Sequence, residues 1–528
     1  MKTVYYNGNI YTGEKQVSAF VVENNEFVYV GNDKEALDMY IDNDIRYDLN
    51  GSFVCAGFND SHMHLLSLGR SLSVARLNEH TNSKKGMYEY LKDYISHNND
   101  EWIIGMGWNQ NDFSDDKNMP SKKELDEICN DRPMYLSRCC GHIVSVNSKA
   151  MEIAGIDKNT VAPLGGEIDY ENGLLSDSAI VLVKNHIPSP DEEKLKQMII
   201  DAGKYVNSLG ITSVQSDDYT LFNTLSFETI NNIYKQLEKE NKLTVRVYEQ
   251  CRLKTIDLLK SFLNKGLKTG IGTDMYKLGP LKLLCDGSLG ARTAALTKPY
   301  HDDPDNLGLL LFTDEQLNEI IKLADENDMQ IAVHAIGDKA LDQLLNAYDL
   351  LKDKNNTKRH GVVHCQVSRQ DQLERIIDMH LHVYAQSLFL DTDVYFVNDR
   401  LSPDLASTSY SWKILMDKGI TVSNGSDAPV EMPEVMKGIE CAITRSPINN
   451  NLVYLPDQSF TVKQAIDSYT INSAYASFDE NKKGLIKPGY LADFVLLDGD
   501  PFNCDSRKIH NIKVKETYLN GKCVYRKD

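Results

Sequence analysis

The chain has 528 residues, 41% hydrophobic and 25% charged, which is the balance of a soluble globular protein and not of a disordered or membrane-embedded one. Its 57 basic residues stand against 76 acidic ones, a formal net charge of −19 with no polybasic run, so neither nucleic acid nor an anionic membrane is an expected partner. The start, "MKTVYYNGNIYTGEK", lacks the apolar stretch of a signal peptide, and no later run approaches the ~18 apolar residues of a membrane span, so a cytoplasmic location is expected. The ten cysteines include no C-x-x-C pair, only Cys139 and Cys140 being adjacent; reduced, mostly buried thiols are expected.

In chain order, "TVYYNGNIYTG" and "SAFVVENNEFVYVGN" read as β-hairpins turning at N-G and N-N, and the far end answers with "LADFVLLDGDPFN" and "IKVKETYLNGKCVYRKD". Residues 1–54 and 480–528 are therefore expected to form one small β domain from both termini. Between them lie eight apolar runs, each followed by a polar segment and a helical pattern: "FVCAGF", "GITSVQS", "LTVRVYEQ", "GPLKLLCDG", "MQIAVHAIGD", "HGVVHCQ", "HVYAQS" and "GITVSNGSD". Eight βα units imply an α/β fold, a (β/α)8 TIM barrel over residues 55–479. About 140 residues separate the first run from the second, which places an inserted α+β subdomain at 72–200, with strands at "EWIIGMGWNQ" and "RPMYLSRCCGHIVSVNS".

Four of the thirteen histidines fall at the ends of these runs: His62 and His64 in "NDSHMHLL", His334 in "IAVHAIGD" and His364 in "GVVHCQ". Asp427 occupies the same position after the eighth. Strand C-termini converge on one mouth of such a barrel, so these residues can meet there, and imidazole with carboxylate is a donor set for zinc and related divalent ions. Each alone is weak evidence, since a pair of loop histidines is more often structural and Asp after Gly-Ser is a common turn residue. Lys282 sits within the apolar "LGPLKLLCDG", where a lone ammonium is costly. It either pairs with a carboxylate such as Asp286 or has reacted with carbon dioxide to give a bridging carbamate.

The set H-x-H, Lys, His, His, Asp in strand order resembles the amidohydrolase superfamily. With "GWNQ", "GHIVSVNSKAM", "LKLLCDGSLGARTAAL", "HAIGDKA", "GSDAPVE" and "KGLIKPGYLADFVLLDGDP", the chain looks like its amidohydrolase 3 branch, which includes N-substituted formamide deformylases. The resemblance implies a barrel with a binuclear centre, a composite β-sandwich from the two termini and an insertion after strand one. It implies that His62, His64 and Asp427 hold one ion and His334 and His364 the other, both divalent and expected to be zinc, with Lys282 as bridging carbamate. A bridging hydroxide would attack the substrate carbonyl while Asp427 moves its proton. "VHCQ" and "GWNQ" depart from the branch's commoner patterns and bear on substrate identity, not on the ligands.

The expected function is hydrolysis of a C–N bond in a small amide or N-substituted formamide. The same centre could serve a cyclic amide, an ester, a dipeptide or a deamination, and a metal-binding regulator is the non-enzymatic alternative. Trp108 and His142 in the insertion and Arg292 in "GSLGARTAAL" are candidate substrate contacts, each with a structural reading beside it: core, satisfied histidine and ion pair. The expected partner is a small-molecule substrate, and a homo-oligomer is admitted but not required.

Overall fold

The computed structural model describes residues 1–139, 141–163, 165–222 and 225–527. They form two compact units, Met1–Ser67 with Ile199–Asp528, and Leu68–Met198.

The first unit is built on an eight-stranded, all-parallel sheet: β1 (Phe58–Met63), β2 (Ile211–Ser216), β3 (Arg246–Arg252), β4 (Tyr276–Leu284), β5 (Ile331–Ala335), β6 (Gly361–His364), β7 (His382–Ala385) and β8 (Val422–Asn424), each paired with the next in that order. Helices such as Phe227–Lys239, Asp314–Glu326 and Asp338–Asp349 connect successive strands, giving a TIM-barrel-like α/β fold. Ser226, Thr255 and Thr313 cap three of the connecting helices, each accepting a backbone N–H from the first turn.

The seam between β8 and β1 is closed by a polar clasp. Ser426 donates its backbone N–H and its hydroxyl, the latter at 2.6 Å, to the buried Asp60. Asp427 N–H donates to the His62 carbonyl at 2.8 Å, and His64 N–H to the Ala428 carbonyl at 2.8 Å. Gly425 permits this approach, since a Cβ there would lie 2.5 Å from His62 N.

The first strand differs from the expected one. "FVCAGF" was read as barrel strand one, yet Phe53–Ala56 belongs to a terminal sheet, where it pairs with Asn9–Tyr11 and Phe494–Leu497. The barrel strand is the polar "FNDSHM", all six residues of which are buried. Its polar side chains serve the clasp and the mouth, so the strand carries no apolar signature. His62 therefore lies within a strand and His64 just beyond it.

Two sheets from the chain ends complete this unit. One orders Glu26–Gly31, Ala19–Glu23, Thr3–Tyr6 and Ile45–Asp48; the other orders Lys522–Arg526, Val514–Leu519, Phe494–Leu497, Phe53–Ala56, Asn9–Tyr11 and Gln16–Val17. They share a core of Tyr5, Phe20, Phe27, Val54, Phe494, Leu496 and Tyr518, with Phe494 stacked on Tyr518 at 4.4 Å. Asn24-Asn25 and Asn520-Gly521, all at positive φ, turn true hairpins. The first N-G does not: Asn7-Gly8 carries the chain from one sheet to the other, which lets Tyr5 and Ile10 enter the shared core from both sides.

The second unit is a six-stranded mixed sheet, ordered Gly166–Asp169, Leu174–Asp177, Ile143–Val146, Met134–Arg138, Ile103–Trp108 and Ala75–Arg76. "RPMYLSRCCGHIVSVNS", expected as one strand, supplies two antiparallel ones, Met134–Arg138 and Ile143–Val146; Cys140 between them lies outside the described residues. Nine cysteines are described as free, six of them buried, whereas Cys139 and Cys523 are exposed. Among the described residues no helix is long and apolar enough to cross a membrane.

A buried ion pair joins the terminal sheet to the barrel floor. Arg246, at the start of β3, donates from Nε to Asp493 Oδ2 at 2.7 Å and from Nη2 to Oδ1 at 3.0 Å. Both side chains are almost wholly buried, so removing one partner strands a charge. Asp493→Ala is expected to cost about 3–5 kcal/mol, read as a lower denaturation midpoint; a loss below about 1 kcal/mol would place the pair among surface bridges.

Candidate metal centre

The mouth of the barrel collects six side chains from five strands and strand ends. His62, His364 and Asp427 are buried and offer ligand atoms that all lie within 4.8 Å of one another. His64 Nε2 stands 3.0 Å and His62 Nε2 3.3 Å from Asp427 Oδ1. Lys282 Nζ lies 2.9 Å from His62 Nε2. The His334 ring is edge-on to that of His364, with centroids 4.5 Å apart. Six residues separated by up to 365 positions in sequence thus gather at one mouth, three of them close enough to share an ion.

The hydrogen bonds behind the imidazoles decide which nitrogen each presents. Nδ1 of His62 donates to Gln250 Oε1 at 2.7 Å, Nδ1 of His64 to the Asp217 carbonyl at 2.9 Å, and Nδ1 of His364 to Gln386 Oε1 at 2.7 Å. A donating Nδ1 leaves Nε2 with the lone pair of a neutral ring. His334 is anchored the other way round: its Nε2 lies 3.0 Å from the Gly287 carbonyl and 3.2 Å from Asp286 Oδ1, which leaves Nδ1. Neutral imidazoles held from behind by carbonyl oxygens are what a divalent ion requires of its ligands, so the residues present fit a metal.

Burial, reinforced by the Lys282 charge, pushes His62 down to about 4. Burial likewise drives His364 well below the ordinary histidine value. For His64 burial acts downward but is outweighed by the Asp427 hydrogen bond and charge, which lift it to about 9 with the anion as its partner. Burial would raise Asp427, but the His62 and His64 rings, whose Nε2 atoms lie 3.3 and 3.0 Å from its Oδ1, hold it well below the carboxylate range. Burial brings Lys282 down to about 8, against the opposing charges of Asp217 and Asp427. That shift increases the neutral amine, the form that reacts with carbon dioxide. Asp286 is not the partner of Lys282, because its oxygens accept the backbone N–H groups of Ala295, Ile336 and Gly337.

Two of these residues hold strained backbone. His364 (φ 74°) and Asp427 (φ 59°) are in the left-handed region, a cost on the order of 1–3 kcal/mol each for a non-glycine residue. Surrounding bonds enforce it: Trp412 Nε1 donates to the His364 carbonyl at 2.9 Å, and Asp427 N–H is fixed on His62.

The three expected substrate contacts fare differently. Trp108 is enclosed in the core of the Leu68–Met198 unit, its indole N–H donating to the Leu136 carbonyl, so it has no face for a ligand. His142, in the same unit, is exposed and paired with Asp177 at 2.9 Å. Arg292 is engaged by Asp302 through both Nε and Nη2. Sequence reading missed Gln250, Gln386 and Asp217, which hold the imidazoles. A glutamine inside an apolar strand was the available signal, since a buried amide must be hydrogen-bonded.

A family model described as "Amidohydrolase family" matches residues 47–525. The chain belongs to the amidohydrolase family. It is 33% identical over the full length of both chains to the Bacillus subtilis (strain 168) protein YtcJ, an amidohydrolase by name. It is 22% identical to the N-substituted formamide deformylase of Arthrobacter pascens, covering 98% of this chain and 97% of that one. Among solved structures, an uncharacterized metal-dependent hydrolase from Pyrococcus furiosus superposes with a TM-score of 0.79 at 28% identity, over 95% of this chain and 100% of that one. Family membership makes this chain a metal-dependent hydrolase, and the mouth of its barrel brings together His62, His364 and Asp427, a group that could hold an ion.

If the glutamines orient the ligands, Gln250→Ala and Gln386→Ala should each weaken metal affinity about 10- to 100-fold with circular dichroism unchanged. Competition against a chelating dye reads this directly, and wild-type affinity in both variants would contradict it.

Proposed function

We propose that this family member hydrolyses a C–N bond in small amides, N-substituted formamides included, at a centre of two divalent ions, zinc in the first instance. The observation that carries the reading is the meeting of His62, His364 and Asp427 beside Lys282. His62, His64 and Asp427 would hold one ion and His334 and His364 the other, with Lys282 as a carbamate between them. Bound there, divalent ions supply Lewis acidity and lower the pKa of water. Asp427 takes the proton of the attacking water and returns it to the leaving nitrogen, a transfer that requires a carboxylate beside the reacting atoms. The anchored imidazoles keep their geometry while this occurs, which limits reorganisation during the reaction.

In this reading the two terminal sheets are a composite β-sandwich of residues 1–54 and 480–528, the barrel spans 55–479, and 72–200 is its insertion. The free thiols support a reducing, cytoplasmic setting. The relationship to the deformylase supports a formyl or short acyl group on nitrogen.

Turnover of a formamide and amide panel by metal-replete protein tests the function; no turnover of any member would contradict it. Asp427→Asn should lower kcat at least about 100-fold with a smaller change in KM, since the amide cannot take the proton, and a normal kcat would remove that role. Lys282→Ala should lose metal and activity together, with part of both restored by added propionate as a carboxylate substitute. Wild-type turnover in Lys282→Ala would make the lysine structural.

A further inference from the structure

Along β3 alternate side chains enter the barrel in layers. Tyr248 reaches Gln330 Oε1 at 2.9 Å, and Gln250 bonds to the Ser61 carbonyl and to His62. Arg252 is the next residue on that face, in register with Lys282 on β4, and it ends the strand at the mouth.

Its side chain is a quarter exposed, and its charge partner is Asp217, whose Oδ2 is 3.7 Å from Nη1, beyond hydrogen-bonding range. Among the described residues nothing accepts its N–H groups in a hydrogen bond. Asp217 is itself buried, and neither of its carboxylate oxygens has a hydrogen-bond partner. Its backbone carbonyl meanwhile anchors His64. The carboxylate thus keeps the arginine charge in place without occupying its donors, and a planar fork of free N–H groups is left beside the metal ligands. Such a fork matches the two oxygens of a carboxylate.

Space and charge agree with this. A cavity of about 300 Å3 lies between the loops that follow β2 and β3, with Arg252 among its lining residues and Phe222, Leu225, Leu253 and Leu258 as apolar wall. The loops that follow β7 and β8, on the far side of the barrel sheet, carry Asp391, Asp393 and Glu431. The cavity beside β3 is lined by two cations, Arg252 and Lys254, against the one carboxylate of Glu228 among its described lining residues, which sets it apart from those acidic loops.

We propose that Arg252 is the specificity contact for a carboxylate on the substrate, so that the preferred substrates are N-acyl or N-formyl compounds with an acidic group, such as N-acylated amino acids. This rests on the amide-hydrolase reading above and names its substrate class. Arg292, the arginine singled out in the sequence as a candidate substrate contact, is instead held by Asp302 through Nε and Nη2.

The test compares N-formyl-L-leucine with its neutral isostere N-formyl-L-leucinamide, by equilibrium binding to metal-replete protein and separately by turnover. Wild type should bind the carboxylate about 10- to 100-fold more tightly, the range of a hydrogen bond to a charged group. Arg252→Met should erase the preference and Arg252→Lys should keep part of it, with KM for the acid rising far more than kcat falls. Equal affinity in wild type, binding of neither compound, or a preference that survives in folded Arg252→Met would each overturn the proposal. The wild-type comparison stands even if a variant fails to fold. A binding preference without hydrolysis of any amide would retain the anion contact and refute the hydrolase reading; hydrolysis of both compounds without preference would do the reverse.

Discussion

The site depends on carbonyl oxygens that hold imidazoles from behind. A neutral histidine has one donor and one acceptor nitrogen, and the group bonded to one determines what the other can do. Gln250, Gln386 and the Asp217 carbonyl take the Nδ1 protons of His62, His364 and His64, while Gly287 takes the Nε2 proton of His334. Without those partners the rings could flip or protonate, and four histidines at one mouth would be a cluster of mutually repelling cations. With them, Nε2 of His62 and His364 and Nδ1 of His334 are the nitrogens left free of an anchor, beside one carboxylate and one lysine, while the Asp427 anion favours the protonated His64.

The barrel makes that arrangement affordable in structural terms because its strands are buried on both faces. Tyr248, Gln330 and Tyr384 form a polar layer beneath the centre, and Gln250 the layer above it. The clasp between Asp60 and Ser426 then brings β8 against β1, which sets Asp427 beside His62 and His64. Burial raises Asp60 to about 7, against the hydrogen bonds from Ser426 that favour its charge. The clasp and three of the candidate ligands, His62, His64 and Asp427, therefore lie in the same short segments, Asp60 to His64 on one side and Gly425 to Asp427 on the other. Closing the barrel and assembling the centre are one structural event.

Much of this was legible in the sequence, for a physical reason in each case. Strands β2 to β8 announce themselves as short apolar runs because parallel strands are covered on both faces. His334 and His364 stood out because each falls at the end of such a run, and Asp427 because it follows the last one. The first strand was misplaced because its polar residues serve the clasp, leaving the neighbouring "FVCAGF" as the stronger apolar signal for a sheet it does not join. Gln250 could be suspected as an amide inside an apolar strand, but its role could not be read, because its partner His62 lies 188 residues away. Of the two readings open for Trp108, core and substrate contact, the structure takes the first, since its indole is satisfied within its own unit. Arg292 and Arg252 look equivalent in sequence; only the position of Asp302 against one, and the 3.7 Å gap to Asp217 at the other, separates an occupied guanidinium from an available one.

The central claim is that this mouth is a binuclear metal centre, and elemental analysis of protein purified without chelator addresses it most directly. The account predicts close to two divalent ions per chain in wild type and a clear loss from both His62→Ala and His334→Ala, one variant for each ion. Metal-free wild type that is nonetheless fully active, or variants that retain wild-type metal content, would contradict it.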